Sequence, residues 1–172
     1  LSDQNVDFVR KRVAGLLGAH EVDWSWRSMA DYLDRLEQQG SGTNLMMLTP
    51  HGTVRTMVMG FQNRPPDAAE LRRMEAVVEA CMEQGAVGFS TGLIYPPCNW
   101  APEEELVTCL RAASRYGGVF VVHMRNETSL LLDSIREVLS LAGRANIPLH
   151  ISHFKAAGKR MWGRAKDGLA LL

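Results

Sequence analysis

"VFVVHMR" (119–125), "NETSLLLDSIREVLSLAGRAN" (126–146) and "IPLHISH" (147–153) follow one another without a break, and their order decides the fold. The first run is β-branched and aromatic, the composition of a strand. In the middle run Leu131, Ile135, Val138 and Ala142 recur at three- and four-residue steps, which predicts a helix over 129–145 with one apolar face. The last run is a second strand, ending on a polar group. Strand, helix and strand at this spacing make a crossover unit, the connection that joins parallel strands.

The same unit recurs upstream. "AVGFSTG" (86–92) is a strand, and "APEEELVTCLRAASRYGG" (101–118) a helix. Its first turn is acidic, Arg115 lies in its last turn and glycines follow, as the helix dipole and C-cap favour. Before these, Asp67 caps a helix carrying Leu71, Met74, Val78 and Cys81 on one face. "TNLMMLT" (43–49) is expected as a buried strand leading into a loop that contains "HGTVR" (51–55). An N-terminal region (1–42) holds helical patterns near 6–18 and 28–39, and another helix starts near Gly163. Four βα units in series, each of roughly thirty residues, predict an α/β fold with a parallel sheet. A complete (β/α)8 barrel takes about 250 residues. The 172 here are therefore expected to form a single domain that is a segment of such a barrel. A small doubly wound sheet is the alternative, although no GxGxxG opens any helix.

Composition narrows the partners. Nineteen basic side chains balance nineteen acidic ones, so no global field draws nucleic acid or an anionic membrane. No apolar run approaches the ~20 residues of a membrane span, and the first residues lack the apolar core of a signal peptide. Cys81, Cys98 and Cys109 are odd in number and show no CxxC spacing, so a reducing cytoplasm is the expected location. Cys81 and Cys109 read as small core residues.

Ligands of parallel α/β folds bind at the carboxyl ends of the strands. His123 ends one strand, His153 ends the next, and a third runs into Ser90, Thr91 and Tyr95. Side chains alternate along a strand. His123 thus shares a face with Val121, and His153 with Ile151, while His150 is expected on the opposite face. Neutral imidazoles suit a metal such as zinc, yet a catalytic zinc takes three protein ligands and an open position. Lys155 joins His153's face if the strand continues, or else belongs to a solvated basic turn with Lys159 and Arg160. Tyr95 sits in a proline-stiffened loop, placed either over a pocket or in simple packing. His51 is expected in a loop at the same mouth and His20 at the surface.

"GAVGFSTGLIYPP" (85–97), "VVHMRNE" (121–127), "HISHFKAAG…WGR" (150–164) and "HGTVRTMVMG" (51–60), in this order, resemble the N-acyl-D-amino-acid deacylases (D-aminoacylases) of the amidohydrolase superfamily. The resemblance implies a Zn2+-dependent barrel that hydrolyses the amide of a small molecule, an N-acyl-D-amino acid. It further implies that His123 and His153 are metal ligands, that Lys155 holds the substrate carboxylate, and that Tyr95 lines the substrate pocket. The family's HxH pair, its cysteine ligand and its general-base aspartate have no counterpart here, and Cys98 is not that cysteine. They are expected on the remainder of the barrel chain, so these residues alone are expected to be inactive. Phe154 and Asn126 depart from the family's common residues. A hydantoinase- or dihydroorotase-type hydrolase is less favoured, because "VGFSTG" offers no lysine to form a carbamate. A non-catalytic scaffold binding an anion at "KAAGKR" is the remaining reading.

Overall fold

A computed structural model describes residues 6–18 and 22–172; His20 lies outside the described residues. Four parallel strands form one sheet in sequential order: β1 (Thr49–Pro50), β2 (Gly88–Gly92), β3 (Val119–His123) and β4 (Leu149–Ile151). Helices α1 (Val6–Leu17) and α2 (Met29–Gln39) precede the sheet. The helices α3 (His51–Met59) and α4 (Ala68–Glu83) connect β1 to β2, α5 (Glu103–Ser114) connects β2 to β3, and α6 (Leu131–Ala145) connects β3 to β4. A short α7 (Ala165–Leu169) follows. Sequential parallel strands with helical crossovers make this a partial (β/α)8 barrel, as the repeat predicts. Among the described residues, no helix is long and apolar enough to cross a membrane.

Registry sorts the two faces of the sheet. Phe89, Phe120 and Leu149 stand in one row, and Thr91, Val122 and Ile151 in the next row of the same face. That face packs on the helices: Phe89, Phe120 and Val122 are fully buried against Met74, Leu106, Leu110, Ile135 and Leu141. The opposite face carries Ser90, Val121 and His150 in one row, with Gly92 and His123 in the row above. Gly88 lets β2 and β3 close together, since a Cβ there would stand 2.2 Å from the Val119 carbonyl oxygen.

Three expectations fail. The stretch 43–49 is not a buried strand: only Thr49–Pro50 pair, while Leu45 and Met46 are exposed. One further bond, from the Val87 N–H to the Met47 carbonyl, extends this edge. The "HGTVR" stretch is the start of α3, not a loop. Its buried residues are His51, Val54, Arg55, Thr56 and Met59, mostly polar, so the helix carries no apolar period. His150 does not oppose His123. The register of Val121 with His150 puts both on the His123 face, one row below the rim.

Candidate metal centre

The rim of the sheet is built from β3, β4 and the loops that follow. His123 is the last residue of β3. β4 stops at Ile151, and Ser152 still donates its N–H to the Val122 carbonyl at 2.9 Å. A strand continuing in this register would send the His153 side chain to the helix-packed face. Instead His153 adopts φ +40°, a left-handed conformation rare for a residue with a Cβ. The turn swings its imidazole back over the rim. The two rings meet edge to face, with centroids 4.4 Å apart. Proximity of the two histidines is therefore achieved by a backbone turn, not by the strand alternation that predicts it.

Glu127, which sequence reasoning missed, completes the group. The loop after β3 returns it to the rim, where it is buried at 7 % exposure. Ser134 helps by accepting the Asn126 N–H, and the Glu127 carbonyl accepts the Ala157 N–H at 2.8 Å. Its Oε1 lies 2.9 Å from His153 Nδ1 and its Oε2 3.9 Å from His123 Nε2. One donor atom from each of His123, Glu127 and His153 falls within 4.8 Å of the others. The only hint in the sequence is an acidic residue four positions past a strand-end histidine.

In this group the buried His123 Nε2 has no hydrogen-bond partner, and Glu127 Oε1 makes no hydrogen bond beyond its 2.9 Å approach to His153 Nδ1. Buried polar atoms are ordinarily satisfied, and a divalent cation satisfies both. Two imidazoles and one carboxylate are a ligand set known for catalytic zinc. Burial lowers the pKa of His123; Glu127 opposes the shift, and His153 and Lys155 reinforce it. The imidazole is thus held in the neutral form that ligates metals.

Lys155 and Tyr95 reach the same rim. Lys155 Nζ lies 2.5 Å from Glu127 Oε2 and donates to His153 Nδ1 at 3.1 Å. The ammonium is half exposed, with room to meet an anion from solvent. Tyr95 is also half exposed and rests edge-on against His123, centroids 5.2 Å apart. His51 does not line this mouth. It is fully buried at the start of α3, with Nδ1 2.8 Å from Thr91 Oγ1 and Nε2 2.8 Å from Glu105 Oε1. Arg55 pairs with the other oxygen of Glu105. Burial opposes charge on His51, but hydrogen bonds to Cys98 and Glu105 prevail and raise its pKa to about 9.

The class of protein is now defined: a piece of a (β/α)8 barrel with a His123–Glu127–His153 cluster at its carboxyl rim that could hold a metal ion. No family model matches the sequence. It is 32% identical over 149 residues to the D-aminoacylase of Alcaligenes xylosoxydans xylosoxydans, covering 87% of this chain and 31% of that protein. The N-acyl-D-glutamate deacylase of the same organism is 35% identical over 142 residues, 83% of this chain and 29% of that one. Among solved structures, a D-aminoacylase superposes with TM-score 0.80 at 34% identity, over 84% of this chain and 30% of that chain. The N-acyl-D-glutamate deacylase of Bordetella bronchiseptica, complexed with zinc and a phosphonate inhibitor, gives TM-score 0.84 at 31% identity. That match covers 91% of this chain and 32% of the other. The chain belongs to the D-aminoacylase group of the amidohydrolase superfamily, and it spans about a third of the length of the relatives it matches.

Proposed function

We propose that this chain forms part of a zinc-dependent deacylase that hydrolyses the amide bond of N-acyl-D-amino acids. The observation that carries this reading is the His123–Glu127–His153 cluster, with the unpartnered buried His123 Nε2, at the carboxyl end of the strands. The names of the relatives, D-aminoacylase and the N-acyl-D-aspartate and N-acyl-D-glutamate deacylases, support the substrate class.

In this reading His123, Glu127 and His153 hold the cation. A zinc ion held by these residues would supply Lewis acidity, for the amide carbonyl and for a water. Burial keeps His123 neutral for that task. Lys155 binds the substrate carboxylate, exchanging its contact with Glu127 for one with the ligand. Tyr95 covers one side of the substrate beside His123. With the carboxylate fixed at Lys155 and the amide fixed near the histidines, one configuration at Cα sends the side chain towards open space. The residues that move the proton of the attacking water are assigned to the remainder of the barrel.

The test uses the full-length protein supplied with zinc. It should release amine from an N-acetyl-D-amino acid and leave the L enantiomer intact. Lys155→Ala should raise KM with little change in kcat. A charge-assisted contact is worth about 1.5–3 kcal/mol, which corresponds to a ten- to hundred-fold change. Absence of amine release from any N-acyl-D-amino acid refutes the reading.

A further inference from the structure

Tyr95 keeps its place against His123 although more than half of its side chain is open to solvent. Its position is set through the backbone. Leu93 donates its N–H to the carbonyl of His123 itself at 2.9 Å, and Tyr95 closes a turn onto the Gly92 carbonyl at 3.0 Å. The Tyr95 carbonyl accepts the Asn99 N–H at 3.0 Å. The Asn99 carbonyl in turn accepts Nη1 of Arg125 at 2.7 Å.

Arg125 lies two residues beyond His123, where β3 has ended. Its other arm is aligned by Glu137 on α6: Nε reaches the two carboxylate oxygens at 3.0 and 3.1 Å, and Nη2 reaches Oε1 at 2.8 Å. The guanidinium therefore joins the Tyr95 loop, the end of β3 and α6. Paired hydrogen bonds of this kind fix orientation as well as distance. The pair is only partly exposed, 32% for Arg125 and 19% for Glu137, so solvent competes weakly. The same loop is also anchored by the burial of Cys98, next to Asn99. Arg125 is the anchor on the side of the rim.

We propose that Arg125, aligned by Glu137, is a positioning residue for substrate binding, acting by holding the Tyr95 loop against His123. The inference rests on the role given to Tyr95 above. A purely structural Arg125 would lower stability, zinc affinity and kcat together. A positioning Arg125 acts through Tyr95 alone.

The experiment is a double-mutant cycle in the full-length, zinc-supplied protein, with an N-acetyl-D-amino acid as substrate. Arg125→Lys keeps a cation facing Glu137 but lacks the second planar arm that reaches Asn99. It should raise KM roughly ten-fold, the lower end of the range for a charge-assisted bond, while kcat and zinc affinity stay unchanged. Tyr95→Ala should raise KM at least as much, and the double variant should be no worse than Tyr95→Ala. If Arg125→Lys fails to fold, Glu137→Gln, which removes the charge that aligns the guanidinium, is read in the same way. Additive effects on KM, or losses of kcat and zinc affinity at constant KM, overturn the proposal. If Tyr95→Ala raises KM and Arg125→Lys does not, only the Arg125 assignment falls. If Tyr95→Ala leaves KM unchanged, the Tyr95 assignment falls and this proposal with it.

Discussion

His153 carries two demands that pull in opposite directions. Its imidazole is needed at the rim, yet its backbone sits at φ +40°. A left-handed conformation costs a residue with a Cβ about 1–2 kcal/mol. Glycine adopts it freely but loses about 0.5–1 kcal/mol more chain entropy on folding. His153→Gly should therefore stabilise the metal-free protein by at most about 1.5 kcal/mol, seen as a higher melting temperature in chelator. Zinc affinity, followed by titration of the same variant, should fall. A loss of stability would mean that the imidazole contacts outweigh the backbone strain. The pairing of His123 with His153 is legible in the sequence as two strand-end histidines, but the turn that produces it is not. Glu127 illustrates a second limit. A loop carboxylate becomes a candidate ligand only when the path of the loop is known.

Elements were legible where their burial is apolar and hidden where it is polar. α4, α5 and α6 show their hydrophobic stripes, whereas α3 buries His51, Arg55 and Thr56 and so reads as a loop. Caps were also legible. Asp67 accepts the N–H groups of Ala69 and Glu70, and Glu70 returns the bond to the Asp67 N–H. Glu70 is further held by two nitrogens of Arg64 at 2.7 and 2.6 Å. The Arg64 contact, with the Asp67 N–H, lowers its pKa to about 2, against 4.5 unperturbed. A depressed carboxylate pKa contributes stability that is full above the unfolded value and is lost as pH falls through the folded one. The start of α4 should thus weaken between pH 4.5 and 2. Arg64 is partly exposed, so the effect should shrink in high salt. Thermal melts of Glu70→Gln should show a shallower decline across this window than the parent; equal slopes would place the acid sensitivity elsewhere.

The molecule as a whole is a run of βα units, and that repeat was legible from strand and helix periods alone. The sidedness of His150 was not, because it depends on register between strands, which no single strand encodes. A cation held at the rim would bridge β3, its following loop and the turn after β4, adding to the Ala157–Glu127 and Lys155–Glu127 contacts that already join them. Binding to the native state alone stabilises it by about 2.7 kcal/mol when free ligand is a hundred times its dissociation constant. Chelation should accordingly lower the melting temperature of the full-length protein. Amide hydrogen exchange should accelerate at 123–127 and 150–157 before it does in the core of β2. An unchanged melt would argue against a metal at this rim.

Deep under the other end of the loop lies a different kind of constraint. Arg55, Glu105 and His51 are sealed from solvent, with Cys98 beside them, its thiol held below the ordinary range because the His51 contacts outweigh burial. Removing one member of a buried charged set strands the others, at about 3–5 kcal/mol, while exchanging the set together for apolar groups of like volume costs little. Divergence at these four positions is therefore gated. Single substitutions here should be strongly destabilising, and positions 51, 55, 98 and 105 should change together or not at all in an alignment of relatives.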